Sequence, residues 1–403
     1  MRPASVGRTV VGAAVGAALV LTASACTPTT PTPSLTTSTT SSAPGPTPTA
    51  TPTATPEALS PPVSDRLAEW TTIAGPSQEL STFAGLSDGS FLAILGGDDQ
   101  TVAVFTDGHR QEIPAPHGYV VQDVLQVGGE VVFGAVDESN EVFRLYRWTP
   151  GEPSADVLLE SSGSDAYWPE TAVWGDDLYV TAVAGDTMCV TRWDVTSADP
   201  ATTAQPVACG GPRESLSWVS AQDGALSYLL VGPDGGCSRL MTVSLPDGQP
   251  EPVATNGCVG RAVASTDLAA WDQVPESSSD RPQDWFDVPV FARAGDQFVS
   301  LGRATGGSEM ICDGALYWLT AFVSGTPQEI RRWAPGGDIE VVYRSPDEDR
   351  LNVFATSKPI CGNGMLGLQR IGWWADSGEE FLATGTWTWI ADVTPAASRP
   401  AAG

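Results

Sequence analysis

The sequence predicts an all-β protein, a β-propeller with seven blades of four antiparallel strands that is closed by an N-terminal strand. The first observation behind this prediction is a pattern that recurs seven times: a short apolar run, a two-residue turn rich in Gly, Asp and Asn, and a second apolar run. Such a pattern is the sequence form of a tight β-hairpin. The turns begin at Asp88, Gly128, Gly175, Asp223, Thr266, Asp313 and Gly362.

The second observation is the length of the repeat. Successive turns lie between 40 residues (88 to 128) and 49 residues (313 to 362) apart, and no helical pattern interrupts them. A period of this size with one hairpin in each unit is typical of a radial β array.

The third observation is that most repeats add a third and a fourth apolar run after the hairpin. The third run ends in an Arg-Trp pair in three repeats: Arg147-Trp148, Arg192-Trp193 and Arg332-Trp333. Four strands per repeat make one propeller blade. The strand tryptophans are expected to pack between blades, namely Trp148, Trp193, Trp318, Trp333 and Trp389.

The ends of the repeat region leave some freedom in this architecture. The run at 67–73 is expected to add a strand to the last blade, which ends at 385–393, and so to remove an exposed sheet edge. Because the first repeat lacks the Arg-Trp pair and the fifth carries a polar insertion at 275–284, six or eight blades are alternatives.

On these turns and spacings, about 330 residues of the chain resemble bacterial β-propellers of the loose TolB-like or WD40-like kind. The repeats lack the Gly-His and Trp-Asp marks of true WD40 repeats. The resemblance implies a fold, but propellers host many functions, so it implies little about activity.

The first 26 residues have the features of an export signal. A basic start and an apolar run at 10–23 precede the sequence Ala-Ser-Ala-Cys that ends at Cys26. This ending resembles the bacterial lipobox, although Ala23 stands where Leu is usual. The resemblance implies cleavage before Cys26 and attachment of a lipid to it, which anchors a protein to a membrane. Ordinary signal cleavage is the alternative.

Composition divides the rest of the chain. Residues 27–62 contain 13 Thr, 10 Pro and 5 Ser, so they are expected to form a disordered stalk. The propeller domain is predicted at 63–394, followed by a disordered tail at 395–403. These segments place the domain outside the cytoplasm, held away from the outer face of the cell membrane.

Charge limits the possible partners. The chain has 48 acidic and 20 basic residues, a formal net charge of −28. This argues against nucleic acid, because phosphate binding needs a Lys/Arg surface. The expected partners are the membrane, through the lipid on Cys26, and an envelope protein or glycan. A cationic partner is an alternative to the simpler interpretation that the charge serves solubility.

Six cysteines besides Cys26 form an even set, which in an exported chain suggests disulfides. Their places in the repeat predict Cys189–Cys209 and Cys237–Cys258, each within the outer hairpin of one blade. Cys312 and Cys361 hold the same place in adjacent repeats, which predicts a bridge between blades. Two free buried cysteines are the alternative for the last pair.

Two apparent catalytic motifs fail on context. The G-x-S-x-G sequence at 85–89 and the G-x-G-x-x-G sequence at 362–367 both require a following helix, and a strand is predicted after each. His109 and His117 are the only histidines, which disfavours a zinc site or a Ser-His-Asp triad. No catalytic residue, metal or cofactor is therefore predicted.

The repeat also predicts which side chains surround the mouth of the propeller. Counting five residues back from each turn gives one position per blade: Phe83, Asp123, Glu170, Trp218, Arg261, Ser308 and Ser357. Glu309 and Lys358, the only lysine, follow directly, and Trp168 lies nearby. The ligand-binding set proposed from this count is Phe83, Asp123, Glu170, Trp218, Arg261, Glu309 and Lys358. Aromatic and charged groups together suit a polar ligand, and a channel filled with side chains is the alternative.

Three functions are consistent with these features. The first is a binding or interaction module at the bacterial envelope. The second is a glycan hydrolase or lyase that uses two carboxylates, Asp123 and Glu170, at the mouth. The third is a structural envelope protein. The absence of a catalytic motif favours the first.

Overall fold

A computed structural model gives the structure of residues 58–77, 81–87, 90–96, 100–106, 109–162, 169–197, 200–232, 236–275, 287–321, 323, 326–345, 352–356, 359–362, 365–375 and 381–392. Within these ranges the chain is almost entirely β-strand, with one short 3₁₀ turn at Pro200–Thr203. No helix in the described ranges is long and apolar enough to span a membrane. The predicted signal peptide, most of the stalk and the tail lie outside the described residues.

The described strands form seven sheets, numbered here in chain order. Sheets 1 to 5 are each an antiparallel meander of four strands, in which consecutive strands pair. Sheet 1 comprises Ser81–Ser87, Ser90–Leu95, Thr101–Thr106 and His109–Pro114. Sheet 2 comprises Tyr119–Val127, Glu130–Asp137, Val142–Trp148 and Asp156–Ser162. Sheet 3 comprises Thr171–Trp174, Asp177–Ala184, Thr187–Asp194 and Gln205–Cys209. Sheet 4 comprises Ser215–Gln222, Ala225–Val231, Arg239–Ser244 and Glu251–Pro252. Sheet 5 comprises Cys258–Ala264, Ala269–Val274, Val288–Ala294 and Gln297–Ala304.

Sheets 6 and 7 include strands from the N-terminal segment. Sheet 6 comprises Met310–Cys312, Ala315–Leu319, Glu329–Trp333 and Ile339–Arg344, with Val63–Asp65 added in parallel. Sheet 7 comprises Asn352–Thr356, Ile360–Gly362, Met365–Ala375, Phe381–Asp392 and Thr71–Ser77. Its first two strands both pair with Met365–Ala375. The all-β prediction and the four-stranded antiparallel sheets are confirmed.

The hairpin turns have the backbone geometry that their residue types predict. Asp223 and Gly224 have φ angles of 42° and 80°, and Asp313 and Gly314 have 48° and 71°. Two successive positive φ angles match the twist of a tight hairpin, and Asp-Gly tolerates them. These turns fix where the first strand of each sheet ends.

The hydrophobic core lies between consecutive sheets. Apolar clusters join sheet 1 to 2, 2 to 3, 3 to 4, 4 to 5, 5 to 6, and 6 to 7. The predicted inter-sheet tryptophans lie in these clusters and are at most 2% exposed: Trp148, Trp193, Trp318 and Trp333. The side chain of Trp389 lies outside the described residues. The sheets therefore pack face to face in chain order.

The N-terminal segment runs along the outer strands of three sheets. Leu59 bridges Val299 in sheet 5, and Val63–Asp65 pairs with sheet 6. Thr71–Ser77 then pairs antiparallel with Phe381–Asp392 in sheet 7. The added strand thus has the predicted partner but begins at Thr71 and not at residue 67. Backbone pairing also starts at Leu59, before the predicted domain boundary at residue 63.

All three predicted disulfides are present: Cys189–Cys209, Cys237–Cys258 and Cys312–Cys361. The first joins two strands of sheet 3, and the third joins sheets 6 and 7, as predicted. The second differs from expectation, because Cys258 begins the first strand of sheet 5 and does not end a strand of sheet 4. The fourth strand of sheet 4 is only Glu251–Pro252, so the chain has already crossed to the next sheet at Cys258. The alternative of free Cys312 and Cys361 is wrong.

Candidate functional site

The predicted mouth positions coincide with irregularities in the first strands. Strand register shifts between Phe83 and Gly85 in sheet 1 and between Val121 and Asp123 in sheet 2. The corresponding shifts in sheets 4 and 5 enclose Trp218 and Arg261. A β-bulge turns a side chain away from the regular alternation of a strand. Counting five residues back from each turn thus gave positions that lie at a β-bulge in four of the described sheets.

Some predicted positions are not described. Trp168, Ser357 and Lys358 lie outside the described residues, and of Phe83 only the strand position is described, not the side chain. The site is therefore built from sheets 2 to 6.

Asp123 and Glu170 each bind the next sheet. Thr171 Oγ1 of sheet 3 donates to Asp123 Oδ2 over 3.0 Å. The backbone N–H of Val219 in sheet 4 donates to Glu170 Oε2 over 2.8 Å. Both carboxylates therefore connect neighbouring sheets.

The environment of Glu170 disfavours its charged form. Burial raises the pKa of the Glu170 carboxyl above its usual range, the backbone N–H groups of Trp218 and Val219 oppose this, and the charge of Asp123 adds to it. A carboxyl whose pKa is raised partly by the charge of a second carboxyl would suit acid catalysis.

We call the row of counted mouth positions Asp123, Glu170, Trp218, Arg261 and Ser308 the rim. Trp218 and Arg261 form its next contact. The Arg261 guanidinium carbon lies 4.9 Å from the centre of the Trp218 ring, within the range of a cation–π interaction. Arg261 Nη1 also donates to the carbonyl of Gly306, just before the first strand of sheet 6, over 2.6 Å. A Cβ on Gly307 would lie 2.8 Å from the Trp218 ring, which explains glycine at that close approach. Arg261 thus links sheets 4, 5 and 6.

Asp272, on the second strand of sheet 5, is a residue that the sequence count missed. Its side chain is fully buried, and its Oδ1 accepts the N–H of Arg261 over 2.7 Å. Burial raises the pKa of Asp272 to about 6, although the N–H and charge of Arg261 and two glycine N–H groups lower it. An acid inside the apolar run LAAWDQV was the available signal.

The sixth sheet contributes buried groups. Ser308 and Glu309 are 1% and 2% exposed, so both side chains are buried. The Ser308 hydroxyl accepts the N–H of Leu319 over 3.1 Å. Taken along the rim, the described contacts connect sheet 2 to 3, 3 to 4, 4 to 5 and 5 to 6.

Open space lies further along the first strands, towards their hairpin turns. A cavity of about 570 Å³ is lined by residues of five sheets: Gln126, Gly128, Val173, Trp174, Gly175, Asp176, Ala221, Gln222, Asp223, Met310, Ile311, Cys361 and Gly362. A second cavity of about 310 Å³ shares Gln126, Val173, Ala221 and Cys361 with it and reaches Thr171 and Val219, next to the rim. We call the larger space the turn-end cavity. Its size is that of a small-molecule site.

The two sequence motifs dismissed above lie in β-structure. Residues 85–87 belong to a strand that is followed by the strand Ser90–Leu95, and Gly362 ends a strand that is followed by Met365–Ala375. Neither position opens a helix. Within the described residues, no group of three His, Cys, Asp or Glu side chains is arranged to hold a metal ion.

No protein-family model matches the sequence, and no curated protein sequence matches it significantly. Among solved structures, the chain is similar to one from a study of two prolyl endopeptidases, with a TM-score of 0.53, 11% identity, and coverage of 76% of this chain and 50% of that chain. The chain thus spans half the length of that protein. It is also similar to the β-propeller domain of the Trilobed protease from Pyrococcus furiosus, with a TM-score of 0.49, 13% identity, and coverage of 75% and 97%. A putative TolB from Agrobacterium tumefaciens gives a TM-score of 0.40, 11% identity, and coverage of 57% and 83%.

At these identities a likeness concerns the fold and carries no information about activity. The four-stranded antiparallel sheets and their face-to-face packing support the β-propeller predicted from the sequence.

Proposed function

We propose that this protein is a binding module of the bacterial cell envelope, a lipid-anchored β-propeller that takes a ligand in its central space. The observation that carries the proposal is the turn-end cavity, which side chains of five sheets line and which combines carboxylates, amides, an indole and apolar groups. Such a mixture of an apolar wall with a few polar groups is the usual composition of a ligand site.

The proposed architecture is a closed ring of seven blades. The first strands of sheets 1 to 6 are in contact in chain order, and Ile360–Gly362 of sheet 7 contacts both Met310–Cys312 of sheet 6 and Ser81–Ser87 of sheet 1. Pairing of Thr71–Ser77 with Phe381–Asp392 supports closure by the N-terminal strand. Such a ring would place both cavities along its axis.

The proposed location rests on the disulfides and the N-terminal sequence. Three disulfides indicate an oxidising, extracytoplasmic compartment. The lipobox-like ending at Cys26 and the Thr/Pro stalk support a lipid anchor, although Cys26 lies outside the described residues. Mass spectrometry of the N-terminal peptide from the mature protein tests the anchor. A diacylglycerol adduct on Cys26 is expected, and a mature chain with an unmodified Cys26 would contradict it.

Binding is tested by capture from solubilised cell envelope with the full-length protein. The variant Ala221→Leu adds volume where the two cavities meet, and is expected to reduce retention of the captured ligand or protein at least tenfold. Ala155→Leu makes the same change against the outer part of sheets 1 and 2 and serves as the matched control. Equal retention by the wild type and the folded Ala221→Leu variant would contradict a role for the cavity.

A glycan hydrolase or lyase is the second candidate, because Glu170 has a raised pKa and Asp123 lies close enough to influence it. Against it, both carboxylates already bind the neighbouring sheet. A screen of glycan substrates with Asp123→Asn and Glu170→Gln separates the two functions. Activity in the wild type that both folded variants lose would favour the enzyme over the binding module.

A further inference from the structure

We propose that the turn-end cavity binds a small organic cation whose protonated primary amines contact Asp176 and Asp223. The inference rests on the proposed binding function and specifies the chemical class of the ligand.

The two carboxylates are placed by the hairpin turns of adjacent sheets. Asp176 is exposed and follows Gly175, whose φ is 61°. Its Oδ1 lies 3.7 Å from the position that a Cβ on Gly128 would occupy, so the carboxylate leans over the turn of sheet 2. Asp223 itself has a φ of 42°, and its Oδ2 accepts the N–H of Gly314 in sheet 6 over 3.0 Å. A carboxylate has about four acceptor positions, so this bond leaves capacity for a ligand N–H.

An exposed indole borders the same space. Trp174 is 38% exposed, whereas five tryptophans on other described strands are at most 2% exposed: Trp148, Trp193, Trp271, Trp318 and Trp333. Its ring lies 4.0 Å from the position of a Cβ on Gly224, at the turn of sheet 4. The face of a tryptophan attracts a cation that lies within about 6 Å of the ring centre. This exposed side chain is an independent sign that the cavity accepts a cation.

The other residues that line the cavity favour a protonated primary amine over a quaternary ammonium group. Gln126 and Gln222 bring amide groups to the cavity, and Gln222 Oε1 accepts the N–H of Ile311 over 2.6 Å. Carboxylate and amide oxygens are acceptors, which an N–H donor can satisfy and a tetraalkylammonium cannot. Met310 and Ile311 supply apolar wall against which an alkyl chain can pack.

Charge selects against an anion. None of the thirteen residues that line the cavity is Lys, Arg or His. Asp267 and Asp313 stand in the turns of sheets 5 and 6, beside those that border the cavity. With a net charge of −28 the whole protein also attracts cations at long range.

The test uses two probes of equal length, butane-1,4-diamine and butane-1,4-diol, titrated calorimetrically into the full-length protein at pH 7 and 0.15 M NaCl. The diamine is expected to bind one site at least tenfold more tightly than the diol. Equal binding of both probes, or no binding of the diamine, would overturn the assignment of a cation while leaving capture from envelope as a separate test of the binding function.

Variants then distinguish binding of the diamine in the turn-end cavity from nonspecific attraction of a cation to the negative net charge of the protein. Asp176→Asn and Asp223→Asn keep side-chain size, and Asn tolerates the positive φ at position 223. Each is expected to weaken the diamine about tenfold, the effect of one charge-assisted hydrogen bond. Glu138→Gln and Asp186→Asn remove the same charge from exposed turns at other places and are expected to change the affinity less than twofold. An equal loss from both pairs of variants would show that only net charge matters, and would overturn the proposal.

Discussion

At the scale of the residue, Asp272 shows how a buried acid maintains the rim. Arg261 lies in the bulge of the first strand of sheet 5, and Asp272 Oδ1 accepts its N–H. Thr181 does the same in sheet 3, where its hydroxyl accepts the N–H of Glu170 over 2.8 Å. Buried backbone donors require such partners. A polar residue on the second strand therefore supports the irregular rim position on the first.

The raised pKa of Asp272 predicts a pH-dependent stability. The folded protein holds this proton up to about pH 6, whereas the unfolded chain releases it near the usual aspartate pKa of 3.8. Between these values the folded state binds more protons, so stability falls as pH rises from about 4 to about 6 and then levels off. A difference of roughly two pKa units corresponds to about 3 kcal/mol.

Urea unfolding between pH 3.5 and pH 8 tests this prediction. Asp272→Asn removes the titrating group, so the free energy of unfolding of the wild type minus that of the variant is expected to fall across the stated window. Asp186→Asn controls for the loss of one negative charge. A difference that stays constant with pH would show that the Asp272 carboxyl does not hold its proton in the folded state.

At the scale of the element, turn chemistry made the strands predictable. Asp-Gly and Gly-Asp turns indicate hairpins because few other residues accept the backbone angles of such turns. The spacing of the turns then predicted the unit of four strands. The bulges that contain Trp218 and Arg261 were not predictable, since an extra residue in a strand leaves no signature in the hydrophobic pattern. Counting five residues back from each turn therefore identified the rim residues but not the contacts that they make with neighbouring sheets. The turn-end cavity was missed because each of its acids was interpreted as a turn residue.

The disulfide between sheets 6 and 7 is expected to contribute to the stability of the fold. Cys312 and Cys361 close a loop of 49 residues, for which loop-closure entropy gives about 4 kcal/mol. The double variant Cys312→Ala/Cys361→Ala is expected to lose roughly this amount in urea unfolding. The Cys189–Cys209 disulfide within sheet 3 closes a loop of 20 residues, so the double variant Cys189→Ala/Cys209→Ala is expected to lose about 3 kcal/mol. A loss below about 1 kcal/mol for the first pair would mean that the packing between sheets 6 and 7 does not depend on the bridge.

At the scale of the whole molecule, apolar clusters between consecutive sheets hold together a strongly acidic chain. Each sheet shares its core with its neighbours, so stability depends on the sheets remaining face to face. The formal charge of −28 opposes this compactness by self-repulsion. The ion pairs in the described residues, such as Arg344 with Asp65, are largely at the surface, where water and salt screen them and each contributes little to stability.

This balance predicts that salt stabilises the protein at neutral pH. Added salt weakens both the repulsion and the surface ion pairs, but the repulsion acts over longer distances and is screened first, since the Debye length falls to about 10 Å at 0.1 M. The thermal unfolding midpoint at pH 7 is expected to rise as NaCl increases from 10 to 200 mM. Near pH 4, close to the sequence pI of about 4.1, the net charge vanishes and the same salt series is expected to leave the midpoint almost unchanged. A midpoint that falls with salt at pH 7 would show that surface ion pairs, and not net repulsion, dominate the electrostatics of the fold.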